Sequence, residues 1–311
     1  MNAIRAPWSH ASFLVYLGGL TILFAIAVLL ATESQKHGAG VLVLWAAAVF
    51  AVLAALALLA RRSGHFITAG VLALSAVAGF VVFLGALLDW FGWFPDTQHA
   101  FKGFRFWLLV LELAAVVASA VALRLFRFPL LVFAVGATTW FFVTDVISGG
   151  GDWSAIVTIV YGLILLAVAM SFDTGGSRIY GFWLHVVSGL TIGGGLLWFF
   201  HEGDWDWIAI AIAGLLYLML GDRLLRSSWV VLGAWGLLQT TSHFAAKWSD
   251  ADFFLGFFYL FPFLYDEGYG EAHKHQWIGP LLFAVTGIVF IGIALLLARR
   301  RRDVVPAAEL L

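Results

Sequence analysis

Residues 106–123 read Phe106-Trp107-Leu108-Leu109-Val110-Leu111-Glu112-Leu113-Ala114-Ala115-Val116-Val117-Ala118-Ser119-Ala120-Val121-Ala122-Leu123, with Glu112 the single ionisable side chain. At 1.5 Å of rise per residue such a run makes a helix about 27 Å long, close to the hydrocarbon thickness of a bilayer. Lipid offers no hydrogen bonds, so the backbone must satisfy its own N–H and C=O groups, which a helix does within one segment. The run predicts a membrane-crossing helix. Glu112 is costly to desolvate there and is expected to face a bundle interior or a wet cavity.

Nine further segments read the same way: 12–31, 41–60, 66–88, 129–148, 153–171, 179–200, 207–221, 227–245 and 277–298. Their links are mostly short and punctuated by Gly, Pro or charge, as at Arg61-Arg62-Ser63-Gly64-His65, which favours antiparallel neighbours. The expected fold class is all-α: a polytopic transmembrane helical bundle of about ten spans joined as antiparallel hairpins, a single integral membrane domain over 1–311. Composition agrees. Of 311 residues 63% are hydrophobic and 11% charged, against roughly 25% charged in a soluble domain. So few polar groups cannot cover a water-soluble exterior, and membrane lipid is the expected partner. A net charge of −1 excludes a nucleic-acid partner. The lack of Cys removes disulfides, thiolate metal sites and Cys nucleophiles.

Lys and Arg in short loops stay cytoplasmic. Placing the N-terminus, alternate loops and the C-terminus on one side gathers Arg5, Arg61, Arg62, Arg124, Arg127, Arg178, Arg223, Arg226 and the four arginines Arg299 to Arg302 there. The other side holds Lys36, Lys102, Arg105, Lys247 and Lys274. Both termini are therefore expected to be cytoplasmic, the setting a bacterial-type inner (cell) membrane, and the first segment a retained anchor. Phe253 to Tyr265 is an aromatic run interrupted by Pro262. It is too short to span and reads as an interfacial flap within an extracytoplasmic loop, 246–276.

Trp140-Phe141-Phe142 followed by Gly151-Asp152-Trp153 recurs as Trp198-Phe199-Phe200 followed by Gly203-Asp204-Trp205. Two readings stand: duplicated hairpins, 129–171 and 179–221, or the Trp and Phe belt that any membrane boundary collects. Ten spans with both ends inside resemble the drug/metabolite transporter superfamily by count alone, with none of its motif residues present.

The candidate ion or substrate pathway begins with Glu112 and Asp145, acids within consecutive spans near the same boundary. Thr138, one heptad before Asp145, shares its face. Two carboxyl groups in one partly dry site would titrate as a pair, suiting one of them to carry a proton. The outer half of segment 227–245 adds Gln239, Ser242 and His243, which share a helix face by spacing. The same residues also read as polar glue between helices, and Asp145 as a group reaching headgroup water. His185 reads as a packing histidine. Outer-loop His201, Asp204, His273 and His275 are ligand types suited to a divalent metal, without a diagnostic spacing. Gly189 and Gly193 make a GxxxG pattern for close helix approach, within the chain or in a homo-oligomer.

Three functions follow. The first is a permease or channel-like protein handling a small cation or proton-coupled solute through an outward-opening polar cavity, hence a transport role. The second is a non-catalytic scaffold or sensor that binds a periplasmic partner through the flap. The third, a metal-dependent membrane hydrolase, ranks last because no nucleophile, base and orienter can be named, so an enzyme is the less favoured class.

Overall fold

The computed structural model describes residues 39–93, 106–147, 151–175, 177–200, 202–249 and 278–304, together with Gly18. Regular structure among them is helical: α1 (Ala39–Arg62), α2 (Phe66–Trp90), α3 (Phe106–Phe126), α4 (Leu130–Ile147), α5 (Asp152–Thr174), α6 (Arg178–Phe199), α7 (Asp204–Leu224), α8 (Ser227–Ser249) and α9 (Ile278–Val304). The first seven are long and apolar enough to cross a membrane. This is an all-α, multi-pass membrane protein whose span count stands near seven, not ten.

Three of the ten expected spans are not among these seven. Segment 12–31 lies outside the described residues. Segment 227–245 forms α8, but Gln239 to His243 and Lys247 make its second half too polar to meet the test. Segment 277–298 forms α9, whose described apolar stretch, Leu281–Leu295, is shorter than a span. The count-based resemblance to the drug/metabolite transporters lapses with it. The expected loop 246–276 begins instead as the last turn of α8, and its flap, Phe253 to Tyr265, lies outside the described residues.

Internal contacts divide the chain into two compact units, Met1–Thr191 and Ile192–Leu311, with the division inside α6. In the first unit the buried residues of α2 are mostly small: Ala69, Gly70, Ala73, Ser75, Ala76, Gly79 and Ala86. Large apolar side chains such as Leu44, Val52, Leu59, Val117 and Ile164 face outward. That size ordering suits a bilayer, where lipid tails are as apolar as leucine and helices associate by close backbone approach and packing. Gly79 lies against the Phe50 backbone, and Gly40 against Trp90 at the far end of the same pair, so α1 and α2 run antiparallel. The Phe128 ring, from the short link after α3, lies directly over Gly70, where an added Cβ would fall 2.1 Å from the ring. Arg127 ends α3 at φ 51°, a left-handed position usually taken by glycine, and its carbonyl accepts the Tyr180 hydroxyl at 2.9 Å.

Arg61 and Arg62 close α1, Arg124 closes α3, Arg127 follows it and Arg178 opens α6. The Arg61 guanidinium lies over the Phe126 ring, 5.8 Å from its centroid. One end of this unit is thus rich in arginine.

In the second unit, α7 and α8 approach through glycine. A Cβ on Gly233 would lie 2.6 Å from the Gly214 carbonyl oxygen, and one on Gly214 would lie 2.9 Å from that of Gly233. Gly193, half of the expected GxxxG pair, faces the Tyr217 ring of its own chain. The Tyr217 hydroxyl stands against the Gly193 backbone. Among the described residues of this unit, Gly214 and Gly233 bring two helix backbones into contact, a pair the sequence reading passed over.

Candidate functional site

Helices α3 and α4 are joined by a three-residue link whose Pro129 precedes α4, and they fold back on each other. Six residues into α3 stands Glu112, and two residues before the end of α4 stands Asp145. Their carboxyl groups hydrogen-bond across the seam. A hydrogen bond between two carboxyl groups needs a proton on one of them, since two ionised carboxylates offer no donor. Glu112 Oε2 and Asp145 Oδ1 are both shielded from the surface.

Seven residues further along α3 and seven back along α4 lies a second rung. Ser119 Oγ and Thr138 Oγ1 are 3.1 Å apart. Each hydroxyl also approaches a carbonyl of its own helix, Ser119 at Ala115 O, 2.8 Å, and Thr138 at Ala134 O, 2.9 Å. With one proton per hydroxyl, one donates across the seam while the other stays on its backbone. Two heptad-spaced rungs thus define a polar seam about 10 Å long. The expected company of Thr138 with Asp145 on one face is present, and Ser119 is its unforeseen partner.

The other side of α4 packs on α5. Trp140 Nε1 donates to Thr158 Oγ1 at 3.0 Å, and the Tyr161 hydroxyl donates to the Gly136 carbonyl at 2.8 Å. One turn beyond Trp140 is Thr144, and one turn before Thr158 is Ser154. By register they continue the same stripe at the level of Asp145. Both are fully buried, and neither hydroxyl has a hydrogen-bond partner among the described residues. A serine or threonine in a dry helix ordinarily returns its proton to the preceding turn, as Ser75 does to Val71 O at 3.1 Å. Two that do not, at the level of a carboxyl pair, are polar groups left unsatisfied in a buried seam.

At the arginine-rich end of this unit the His185 Nε2–H of α6 donates to Asp173 Oδ2 of α5 at 2.9 Å. His185 is fully buried, so the helix-packing expectation describes its location but omits its carboxylate partner. The sequence does not single out Asp173, which lies two residues past the expected end of its segment, 153–171. It occupies instead the last turn of α5.

In the second unit Asp204 opens α7, where an acid is favoured by the helix dipole. Lys247 Nζ donates to its Oδ2 at 2.5 Å, and His243 Nε2 stands 3.5 Å from its Oδ1. The lysine contact is the true hydrogen bond of the two, since 3.5 Å lies at the edge of bonding range. The His243 ring stacks on Trp207 with centroids 4.6 Å apart. Thr240 donates to the Trp207 carbonyl at 3.1 Å, and Thr241 meets Thr286 of α9 at 2.8 Å. Gln239 and Ser242 are partly buried on the same stretch of α8. His243 thus meets Asp204, which the sequence had placed among loop ligands. This cluster and the carboxyl pair belong to different units.

No known protein family, curated protein or solved structure matches the chain.

The chemistry must therefore be argued from side chains. Among the described residues no three His, Asp or Glu side chains converge as metal ligands. Of the metal candidates, His201, His273 and His275 lie outside the described residues, and Asp204 engages Lys247. What the first unit does offer is a carboxyl pair within the span, two buried hydroxyls at its level without a hydrogen-bond partner among the described residues, and a buried imidazole with its own carboxylate.

Proposed function

We propose that this multi-pass membrane protein is a permease or channel-like protein for a small cation or a proton-coupled solute, with Glu112 and Asp145 as its proton-carrying element. One observation carries the reading: the hydrogen-bonded Glu112–Asp145 pair stands level with the buried, unpartnered hydroxyls of Thr144 and Ser154. Ionisable groups within spans are rare because of their desolvation cost, and they mark ion pathways and proton relays in bundles of this kind. A pair that shares one proton can release it to a water or exchange it for a cation without leaving two adjacent negative charges in the membrane. The arginine-rich end is assigned to the cytoplasm of a bacterial-type inner membrane by charge bias, so the carboxyl pair faces the outer side.

The full chain in proteoliposomes carrying an internal pH-sensitive dye tests this. An imposed proton gradient, with valinomycin and potassium for charge balance, should dissipate faster than in empty vesicles. Glu112→Gln and Asp145→Asn should each return the rate to that of empty vesicles while the protein still inserts and keeps its helical content. Wild-type vesicles no faster than empty ones, over the accessible pH range and with sodium or potassium present, would leave the seam as structural glue between α3 and α4.

A further inference from the structure

Asp173 and His185 form an ionisable pair that the proposed site does not use. His185 is fully buried, whereas the Asp173 side chain keeps 18% of its surface exposed. The imidazole therefore sits behind the carboxylate as seen from the arginine-rich end. The opposing helix is cut away to admit that carboxylate: a Cβ on Gly181 would fall 2.6 Å from Asp173 Oδ1. Glycine costs helix stability and adds no packing area, so its use here serves the carboxylate. The local apolar cluster of Val132, Ala169 and Leu184, with Leu165, Tyr180 and Trp183 packed on it, would hold this hairpin without an ion pair.

The position of the pair in the helix order is informative. α3 begins, α4 ends and α5 begins at the Glu112–Asp145 level, whereas α3 ends, α4 begins, α5 ends and α6 begins at the Asp173–His185 level. Between the two levels the helix contacts are polar as well as apolar. They include Ser119 with Thr138, Tyr161 with the Gly136 carbonyl, and Ser188 donating to the Gly162 carbonyl at 2.8 Å. All lie within the first unit.

We infer that Asp173 and His185 are a second proton-holding station, at the end of the first unit opposite the carboxyl pair, through which a proton leaves after entering at Glu112 and Asp145. The inference rests on the proton-carrying reading of that carboxyl pair. In the step proposed, an O–H bond of a relaying hydronium breaks, leaving neutral water, as an N–H bond forms on His185. The Asp173 carboxylate balances the imidazolium charge. The proton then passes to solvent at the exposed edge of Asp173, and no electrons change hands. The other charged or titratable groups of this end are Arg61, Arg62, His65, Arg124, Arg127, Arg178 and Tyr180. Tyr180 donates its hydroxyl proton to the Arg127 carbonyl and His65 is exposed, so His185 is the buried imidazole of this end held against a carboxylate.

His185→Gln tests this. Its side-chain amide can still donate to Asp173, yet it cannot carry a proton, so packing and relay are separated. In the vesicle assay the variant should lose roughly tenfold or more of the wild-type proton flux, with its melting temperature in detergent unchanged. Wild-type flux in this variant overturns the station, and if Glu112→Gln still abolishes flux in the same assay, the proton-carrying reading survives. No flux in the wild type removes both. If His185→Gln does not fold, the wild type decides by nitrogen NMR of labelled histidine, the buried ring being identified by its resistance to exchange. An imidazole that changes protonation between about pH 5 and about pH 8 supports the station. One that holds a single state throughout is a structural pin and overturns it.

Discussion

Glu112 hydrogen-bonds Asp145 across the α3–α4 seam in the same antiparallel register that brings Ser119 to Thr138 seven residues away on each helix. The chemistry of the two rungs differs. The hydroxyl rung can satisfy itself on its own backbone carbonyls, whereas the carboxyl rung needs a proton from outside the backbone. Ser119→Ala and Thr138→Val should therefore be mild. A double-mutant cycle on unfolding in detergent should return a coupling near ~0.6 kcal/mol, the usual size for a hydrogen bond between membrane helices. Glu112→Leu, which leaves Asp145 at the seam with an aliphatic neighbour, should destabilise far more than Glu112→Gln, which keeps a hydrogen bond.

Thr144 and Ser154 distinguish a wet site from a dry one. An unpartnered hydroxyl in a dry, close-packed seam costs stability, so Thr144→Val or Ser154→Ala would then leave the protein as stable or more stable. If water or a cation occupies the level of the carboxyl pair, removal of either hydroxyl should lower the melting temperature and slow proton flux. The latter is the expected outcome, read by parallel melts and vesicle assays on both variants.

The α7–α8 contact gives a test of packing alone. A methyl group on Gly233 would meet the Gly214 carbonyl oxygen and the Leu218 backbone nitrogen, neither of which can turn aside as a side chain can. Gly233→Ala should destabilise by about 1–3 kcal/mol, the range for overpacking in a filled core. Gly193→Ala, whose Cβ would lie 3.4 Å from the Tyr217 hydroxyl, should be tolerated. If Gly193→Ala proves the more damaging of the two, the seam has been assigned to the wrong glycines.

Much of this architecture was legible in the sequence, because apolar run length and chain reversal depend on local composition. The seven helices α1 to α7 lie where hydropathy places them. The overcount came from treating every apolar run of near-span length as a span, although α8 carries five polar residues in succession from Gln239 to His243. Pair partners were less legible. Glu112 and Asp145 were recognisable individually because a charge within a span stands out, and their nearby depths on adjacent helices made a shared site an expectation. Asp173 was hidden because it sits beside Thr174 and Gly175, where an acid reads as a loop residue. Only the register of α5 on α6 reveals that it reaches back to His185. Lys247 was counted as one cation of an outer loop for the same reason, and the one-turn spacing from His243 to Lys247 was the signal that both could meet Asp204.

Phe128 over Gly70 gives the last expectation, and it concerns how the link between α3 and α4 is held. The ring comes from the link and rests where α2 has no side chain, joined by Ala57, Val71, Ala73, Val77, Ala122 and Leu131 in one buried cluster. Gly70→Ala places a methyl group within the ring's volume, and atoms near the base of the ring cannot swing clear without moving the backbone at Arg127, already in a left-handed conformation. The substitution should cost about 1–3 kcal/mol. Phe128→Ala alone should cost about 3–5 kcal/mol through lost contacts and a cavity. In the double variant the new methyl group occupies part of that cavity, so the two losses should fall short of additive. Additive losses in the double cycle would mean that the ring and the glycine do not share the space assigned to them. The link would then be positioned by Arg127 and Pro129 instead, and the register that aligns Glu112 with Asp145 would depend on the backbone of the turn.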